Sequence, residues 1–204
     1  MCQRYNITNV VNVLINDIDM TYKREQGVLK KFTLVEMAFF QMWWNEQNDT
    51  MKLNVKKLVK DKRLQFVNAG ISMSDEADVH YEDFINNMKA GHDFLFKELQ
   101  YKPTVGWQID PFGHHSATGA LFAEMGFEAV VFCRIDYQDK DLRKQKAEME
   151  FVWRPFNKSY GSRAEIFTHL THNHYGAPKE IKFSESKDEP QVIDNPKARG
   201  YNVK

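Results

Sequence analysis

Two cysteines in 204 residues, Cys2 and Cys133, leave no material for a disulfide framework. Cys133 sits in an apolar run, where a buried core thiol belongs. No stretch reaches the roughly 18 consecutive apolar residues of a membrane-spanning helix, so no membrane span is expected. The opening residues, from Met1 to Asn9, lack the apolar region of a signal peptide. Net charge is absent too: 28 basic residues balance 28 acidic ones, which argues against a dedicated nucleic-acid or membrane-surface binder. No segment repeats at the period of a solenoid or propeller.

What is present suits a globular domain. The chain is 42% hydrophobic and 13% aromatic, enough for a real core, and its length fits one domain or most of one. Three N-x-S/T sequons occur, at Asn6, Asn48 and Asn157, a mild excess that fits a protein of the secretory pathway whose signal lies upstream.

Periodicity supplies the elements. Ile7, Val10, Val11, Leu14, Ile15 and Ile18 fall on one helical stripe, with Asn6 as a candidate N-cap. Phe32 to Met37 reads as a strand, with the aromatic run Phe39–Trp44 packed at its end. Thr50 is placed to cap a helix whose face carries Met51, Val55, Leu58 and Val59. Leu64–Asn68 reads as a strand turning at Ala69-Gly70, and Tyr81 to Leu95 as a helix that includes His92, expected as a satisfied core histidine. Thr104–Ile109 and Ala129–Ile135 are strands separated by a helix over Ser116–Glu124. Met149–Trp153 and Ile166–His169 are weaker strand candidates. The alternation predicts an α/β fold with a mostly parallel sheet flanked by helices. From Pro178 onward the polar, charged chain reads as a surface loop or a path out of the domain.

The sharpest chemical signal is Gly106-Trp107-Gln108-Ile109-Asp110-Pro111-Phe112-Gly113-His114, a strand running into a turn before a helix. Ligands of α/β sheets bind beyond the carboxyl ends of strands, where Asp110 falls. Pro111 fixes the backbone and Gly113 admits a tight turn. A carboxylate there ligates a metal or attacks a substrate, or else, on equal terms, only caps the next helix. Arg134 ends the following strand and is expected near Asp110, as an ordinary salt bridge or as a group that keeps the carboxylate ionised and binds sugar hydroxyls. Asp75 and Glu76 belong to the same side of the sheet, or else complement a helix dipole. His169, His172 and His174 resemble a metal site but have no cysteine beside them, and such loops are often incidental. Trp43, Trp44, Trp107, Phe112 and Tyr175 are either sugar-stacking platforms or core.

Several stretches together resemble glycoside hydrolase family 38, above all its lysosomal-type α-mannosidases. They are Val35-Glu36-Met37-Ala38-Phe39-Phe40 with Trp43-Trp44; Asn68-Ala69-Gly70 with Ser74-Asp75-Glu76-Ala77; Ile109 to His114; Met125-Gly126-Phe127; and Arg134 to Lys140. The tail from Asp188 to Val203 joins them. The resemblance implies an incomplete β/α-barrel-like catalytic domain, with residues 1–204 its central part, cut at both ends. It implies a retaining, zinc-dependent enzyme that hydrolyses terminal α-D-mannose from N-linked glycans, in the lysosome or secretory-pathway lumen. Asp110 would be nucleophile and zinc ligand, with Phe112, Arg134 and Tyr175 binding substrate. Zinc would bind sugar hydroxyls and hold Asp110 ionised rather than activate water.

Two departures stand out. His115 replaces the serine usual in the family, and no His-x-Asp zinc motif occurs near residues 1–30. By the resemblance, the acid/base aspartate and a further zinc histidine lie beyond Lys204, so this segment is expected to need the remainder of a mannosidase chain. One alternative is a non-catalytic remnant that binds a glycan or a partner. Another is a metal hydrolase such as a polysaccharide deacetylase, whose spaced histidine pair His114-His115 imitates poorly.

Overall fold

The computed structural model describes residues 2–24 and 30–176. The path expected from Pro178 and the tail from Asp188 to Val203 lie outside the described residues.

Helix α1 (Cys2–Arg24) starts before Asn6, which therefore sits inside the helix and does not cap it. Of the expected stripe, Val11, Ile15 and Ile18 are buried, whereas Val10 is exposed. Strand β1 stops early (Phe32–Leu34), and α2 (Met37–Asn45) takes over where a longer strand ending in packed aromatics was expected. The reason is legible afterwards. Met37, Phe40, Trp43 and Trp44 follow a helical spacing, and all are buried on one face. Helix α3 (Asp49–Lys60) is capped by Asn48, whose side chain accepts from the Met51 amide at 2.9 Å, and not by Thr50. Then come β2 (Leu64–Phe66), α4 (Tyr81–Leu99), β3 (Val105–Gln108), α5 (Ser116–Glu124) and β4 (Ala129–Phe132). Helix α6 (Tyr137–Lys146) was not read from the sequence. It buries no residue and so has no apolar stripe; Asp136 caps it, and Arg143, Lys144 and Lys146 complement its carboxyl end. Strand β5 (Glu150–Trp153), the single-turn α7 (Asn157–Tyr160) and β6 (Ile166–Leu170) complete the described chain.

The fold is α/β, as expected. Strands β1 and β2 pair in parallel; a second sheet has the order β3-β4-β6-β5, parallel except for the antiparallel edge strand β5. Two apolar clusters hold the layers. One gathers α1, α2, α3 and β2 around Phe40, Trp44 and Leu64; the other lies under β4 and β6 around Phe122, Val130 and Ile166. Helix α4 serves both, with Phe94 and Leu95 in the first and Phe84 and Met88 in the second.

Asn68 joins the two sheets. Its amide donates to the Val105 carbonyl at 2.7 Å and its side-chain oxygen accepts from the Trp107 amide at 3.2 Å, so β3 continues where β2 ends. Its carbonyl meets the His92 ring nitrogen at 2.8 Å. His92 also stands edge-on to Phe127 and is a satisfied core histidine, its pKa lowered chiefly by burial. The turn takes left-handed backbone at Asn68 and Ala69 (φ 56° and 61°), cheap for asparagine and costly for alanine. Helix α4 presses on it through Gly91, where an added Cβ would lie 1.9 Å from the Ala69 carbonyl oxygen. Gly91→Ala is therefore expected to destabilise the chain by about 1–3 kcal/mol, despite the better helix propensity of alanine. Urea unfolding against the unsubstituted chain measures this; equal or greater stability would show that the helix does not rest on the turn.

Candidate active site

The carboxyl ends of the parallel strands share one cleft of about 650 Å³, within the usual range for a small-molecule site. Glu36 enters from beyond β1, Ser74 and Asp75 from beyond β2, Asp110 and Phe112 from beyond β3, and Tyr175 from beyond β6.

Asp110 stands two residues past the end of β3, and Arg134 two residues past the end of the neighbouring β4. The two meet: Asp110 Oδ1 accepts from Arg134 Nη2 at 2.9 Å and Nε at 3.2 Å. The Tyr175 hydroxyl donates to the same oxygen and accepts from Arg134 Nε at 2.9 Å. The guanidinium also lies over Phe112, 4.6 Å from its ring centre, and 5.3 Å from that of Tyr175. Both aromatics are exposed, Phe112 at 83%. The Asp110 side chain is 62% exposed, so the pair contributes little to stability, and its significance is positional. The hydrogen bond from Tyr175, then those from Arg134, lower the Asp110 pKa. No described residue donates a hydrogen bond to its Oδ2.

The capping role weighed for Asp110 falls to another residue. Helix α5 is capped by His115, whose Nδ1 accepts from the Ala117 amide at 3.0 Å, the task a serine would otherwise perform. Gly113 does not use its freedom: its φ is not positive, and an added Cβ would meet open space. Asp75 lines the cleft and closes a local turn onto the Ala77 amide; Glu76 lies buried beside it. Neither starts a helix, since α4 begins at Tyr81.

The three histidines take separate partners. His169 pairs with Glu150 at 2.8 Å, His172 bonds Asn173, and His174 meets the buried Cys133 sulfur at 3.0 Å. Among the described residues no group of three or more His, Cys, Asp or Glu side chains could hold a metal ion. For the zinc ion implied by the resemblance, the Asp110 carboxylate suits a single ligand position; the described residues do not complete a set. Of the aromatics, Trp43 and Trp44 are core, whereas Trp107, Phe112 and Tyr175 line the cleft.

One cleft residue went unread as a candidate. Glu36 accepts from the Met73 amide at 2.7 Å and so holds the loop beyond β2. The rule that singled out Asp110 would have found it, had β1 been ended at Leu34 instead of Met37.

Comparison with known proteins agrees with this architecture. The model of the glycosyl hydrolases family 38 N-terminal domain matches residues 3–204. The alpha-mannosidase of Canavalia ensiformis is 43% identical over 95% of this chain, and the lysosomal alpha-mannosidase of Homo sapiens 36% identical over 98%. The chain spans 20% and 19% of those relatives' own lengths. Among solved structures, an alpha-mannosidase from Enterococcus faecalis superposes with a TM-score of 0.63 at 18% identity, covering 85% of this chain and 18% of that one. A 4-alpha-glucanotransferase from Thermococcus litoralis gives 0.54 at 17% identity, covering 69% and 21%; both likenesses speak to the fold alone. The site therefore belongs to a glycoside hydrolase domain. The chain is a member of glycosyl hydrolase family 38, and its residues 3–204 match that family's N-terminal domain.

Removing the tyrosine hydroxyl tests the Asp110 cluster. A lowered pKa means that the carboxylate form stabilises the fold above the ordinary aspartate range, and that this is lost as pH falls through the depressed value. In the metal-free chain, Tyr175→Phe is expected to raise the Asp110 pKa towards its ordinary value, read by carboxyl ¹³C NMR titration. An unchanged pKa would mean that the hydroxyl does not rest on Asp110 in solution.

Proposed function

We propose that residues 1–204 are the central part of the catalytic domain of a retaining, zinc-dependent α-mannosidase that removes terminal α-D-mannose from N-linked glycans. The observation that carries this reading is the exposed Asp110 carboxylate in the cleft, one oxygen clasped by Arg134 and Tyr175 and the other open. Such a group is ionised and aimed, as a nucleophile must be.

In a retaining glycosidase the free oxygen of Asp110 attacks the anomeric carbon. The glycosidic C–O bond breaks, and its electron pair goes to the leaving oxygen, which takes a proton from a second carboxylic acid. Water then attacks the glycosyl-enzyme, gives its proton to that second carboxylate, and frees Asp110. Arg134 and Tyr175 hold Asp110 in place, keep it ionised before the attack and stabilise the carboxylate again as water releases it, and they give it no freedom to rotate away. The exposed ring of Phe112 offers a face for the C–H side of a sugar, and the guanidinium beside it donates to hydroxyls. Zinc held at Asp110 would supply positive charge for the carboxylate and for sugar hydroxyls.

A site in the lysosomal or secretory lumen fits the lysosomal relatives and the sequons, since Asn48 and Asn157 are both exposed. No described helix is long and apolar enough to cross a membrane.

In the full-length polypeptide carrying this segment, Asp110→Asn is expected to lower kcat on an aryl α-mannoside by roughly 10³-fold or more. Near-normal turnover would dismiss Asp110 as nucleophile. The 204-residue chain by itself, supplied with zinc, is expected to turn over no faster than its denatured control, because Asp110 cannot both attack and protonate and the cleft's other carboxylates, Glu36 and Asp75, are engaged by main-chain amides. Robust zinc-dependent turnover would mean that the acid/base group lies within these residues.

A further inference from the structure

Beneath the cleft lies a polar network that the reaction as drawn does not use. The Glu76 side chain is 3% exposed and that of His114 9%, and neither lines the cleft. A buried carboxylate is costly unless it is paired and hydrogen-bonded. Here Glu76 Oε1 accepts from Gln108 Nε2 at 3.2 Å and lies 3.0 Å from His114 Nδ1, while Oε2 accepts from the His115 amide at 2.7 Å. The other ring nitrogen, His114 Nε2, lies 2.9 Å from the main-chain oxygen of Arg134. A carbonyl oxygen can only accept, so Nε2 donates to it, and Nδ1 and the Glu76 carboxyl share the one proton between them. The ring is also stacked on Phe132, centres 4.1 Å apart.

One imidazole thus binds three segments: the loop beyond β2, the turn beyond β3 and the end of β4. The Arg134 carbonyl that it holds belongs to the residue whose guanidinium grips Asp110. A closed circuit results, from Asp110 along the turn to His114, across to the Arg134 main chain, and back through the Arg134 side chain. Without the imidazole, the Arg134 carbonyl would lose its tether to the Asp110 turn.

We infer that Glu76 and His114 are positioning residues that fix the Arg134 end of β4 against the Asp110 turn; the inference rests on Asp110 being the nucleophile. A shift of about 1 Å in a reacting group can cost roughly 10²-fold in rate. The pair lies outside the cleft, so its loss falls on kcat more than on KM.

The test compares Glu76→Gln, His114→Gln, the double variant and Asp110→Asn in the full-length polypeptide, on an aryl α-mannoside. The amides keep the volume but set acceptor against acceptor or donor against donor. Each single variant is expected to lower kcat about 10–100-fold with KM within about threefold, and the double variant to be no worse than the worse single, because partners in one network are not additive. Wild-type kcat in His114→Gln, losses that multiply in the double variant, or a change confined to KM would overturn the pairing. Turnover in Asp110→Asn would instead overturn the nucleophile on which it rests. Where the variants do not fold, hydrogen exchange in the unsubstituted protein decides: a protected His115 amide supports the network, and exchange at the unfolded-chain rate overturns it.

Discussion

The site depends on a turn that holds two sheets together. β1 and β2 form one parallel pair and β3 opens another sheet, and Asn68 bonds the end of β2 to β3 through both its main chain and its side chain. Because parallel strands all point one way, this junction brings the ends of β1, β2, β3, β4 and β6 to one side, with Glu36, Asp75 and Asp110 around one cleft. Asparagine suits the position: it tolerates left-handed backbone and carries an acceptor that reaches the Trp107 amide. Gly91 lets α4 lie against the same turn, and α4 reaches into both apolar clusters. Core packing and cleft geometry therefore meet at a few residues around Asn68.

Stability and chemistry are divided between depths. At the surface, the ion pair of Asp110 and Arg134 is too exposed to matter much to folding, but it directs a carboxylate and keeps it charged. Below it, Glu76, Gln108 and His114 are buried polar groups, which a fold tolerates only when they are satisfied. The buried layer sets the backbone from which the exposed residues project. A glycosidase needs that arrangement, since its reacting carboxylate must reach substrate without drifting.

Most of the architecture was legible in the sequence because burial leaves periodic marks. The helix over Ser116–Glu124 has the expected bounds, and the strand beginning at Ala129 starts in place. Errors arose where the mark was ambiguous or missing. The aromatic run of α2 fits a packed strand end until its spacing is counted, and α6, resting on caps and charge alone, has no apolar stripe. Asp110 and Arg134 were placed correctly at neighbouring strand ends, since the strand-end rule depends only on order along the chain. The link through His114 was out of reach, because Glu76 and His114 are 38 residues apart and meet only through the fold. The histidines in and after β6 looked like a ligand set by proximity in sequence, yet their side chains find separate partners, Glu150, Asn173 and Cys133.

Covalent trapping addresses the central claim most directly. The full-length polypeptide carrying this segment would be inactivated with a fluorinated mannosyl fluoride, which forms the glycosyl-enzyme and slows its hydrolysis. Proteolysis and mass spectrometry then locate the label. The account predicts a single labelled peptide with the sugar on Asp110; a label on any other residue, or inactivation without a covalent adduct, would contradict it.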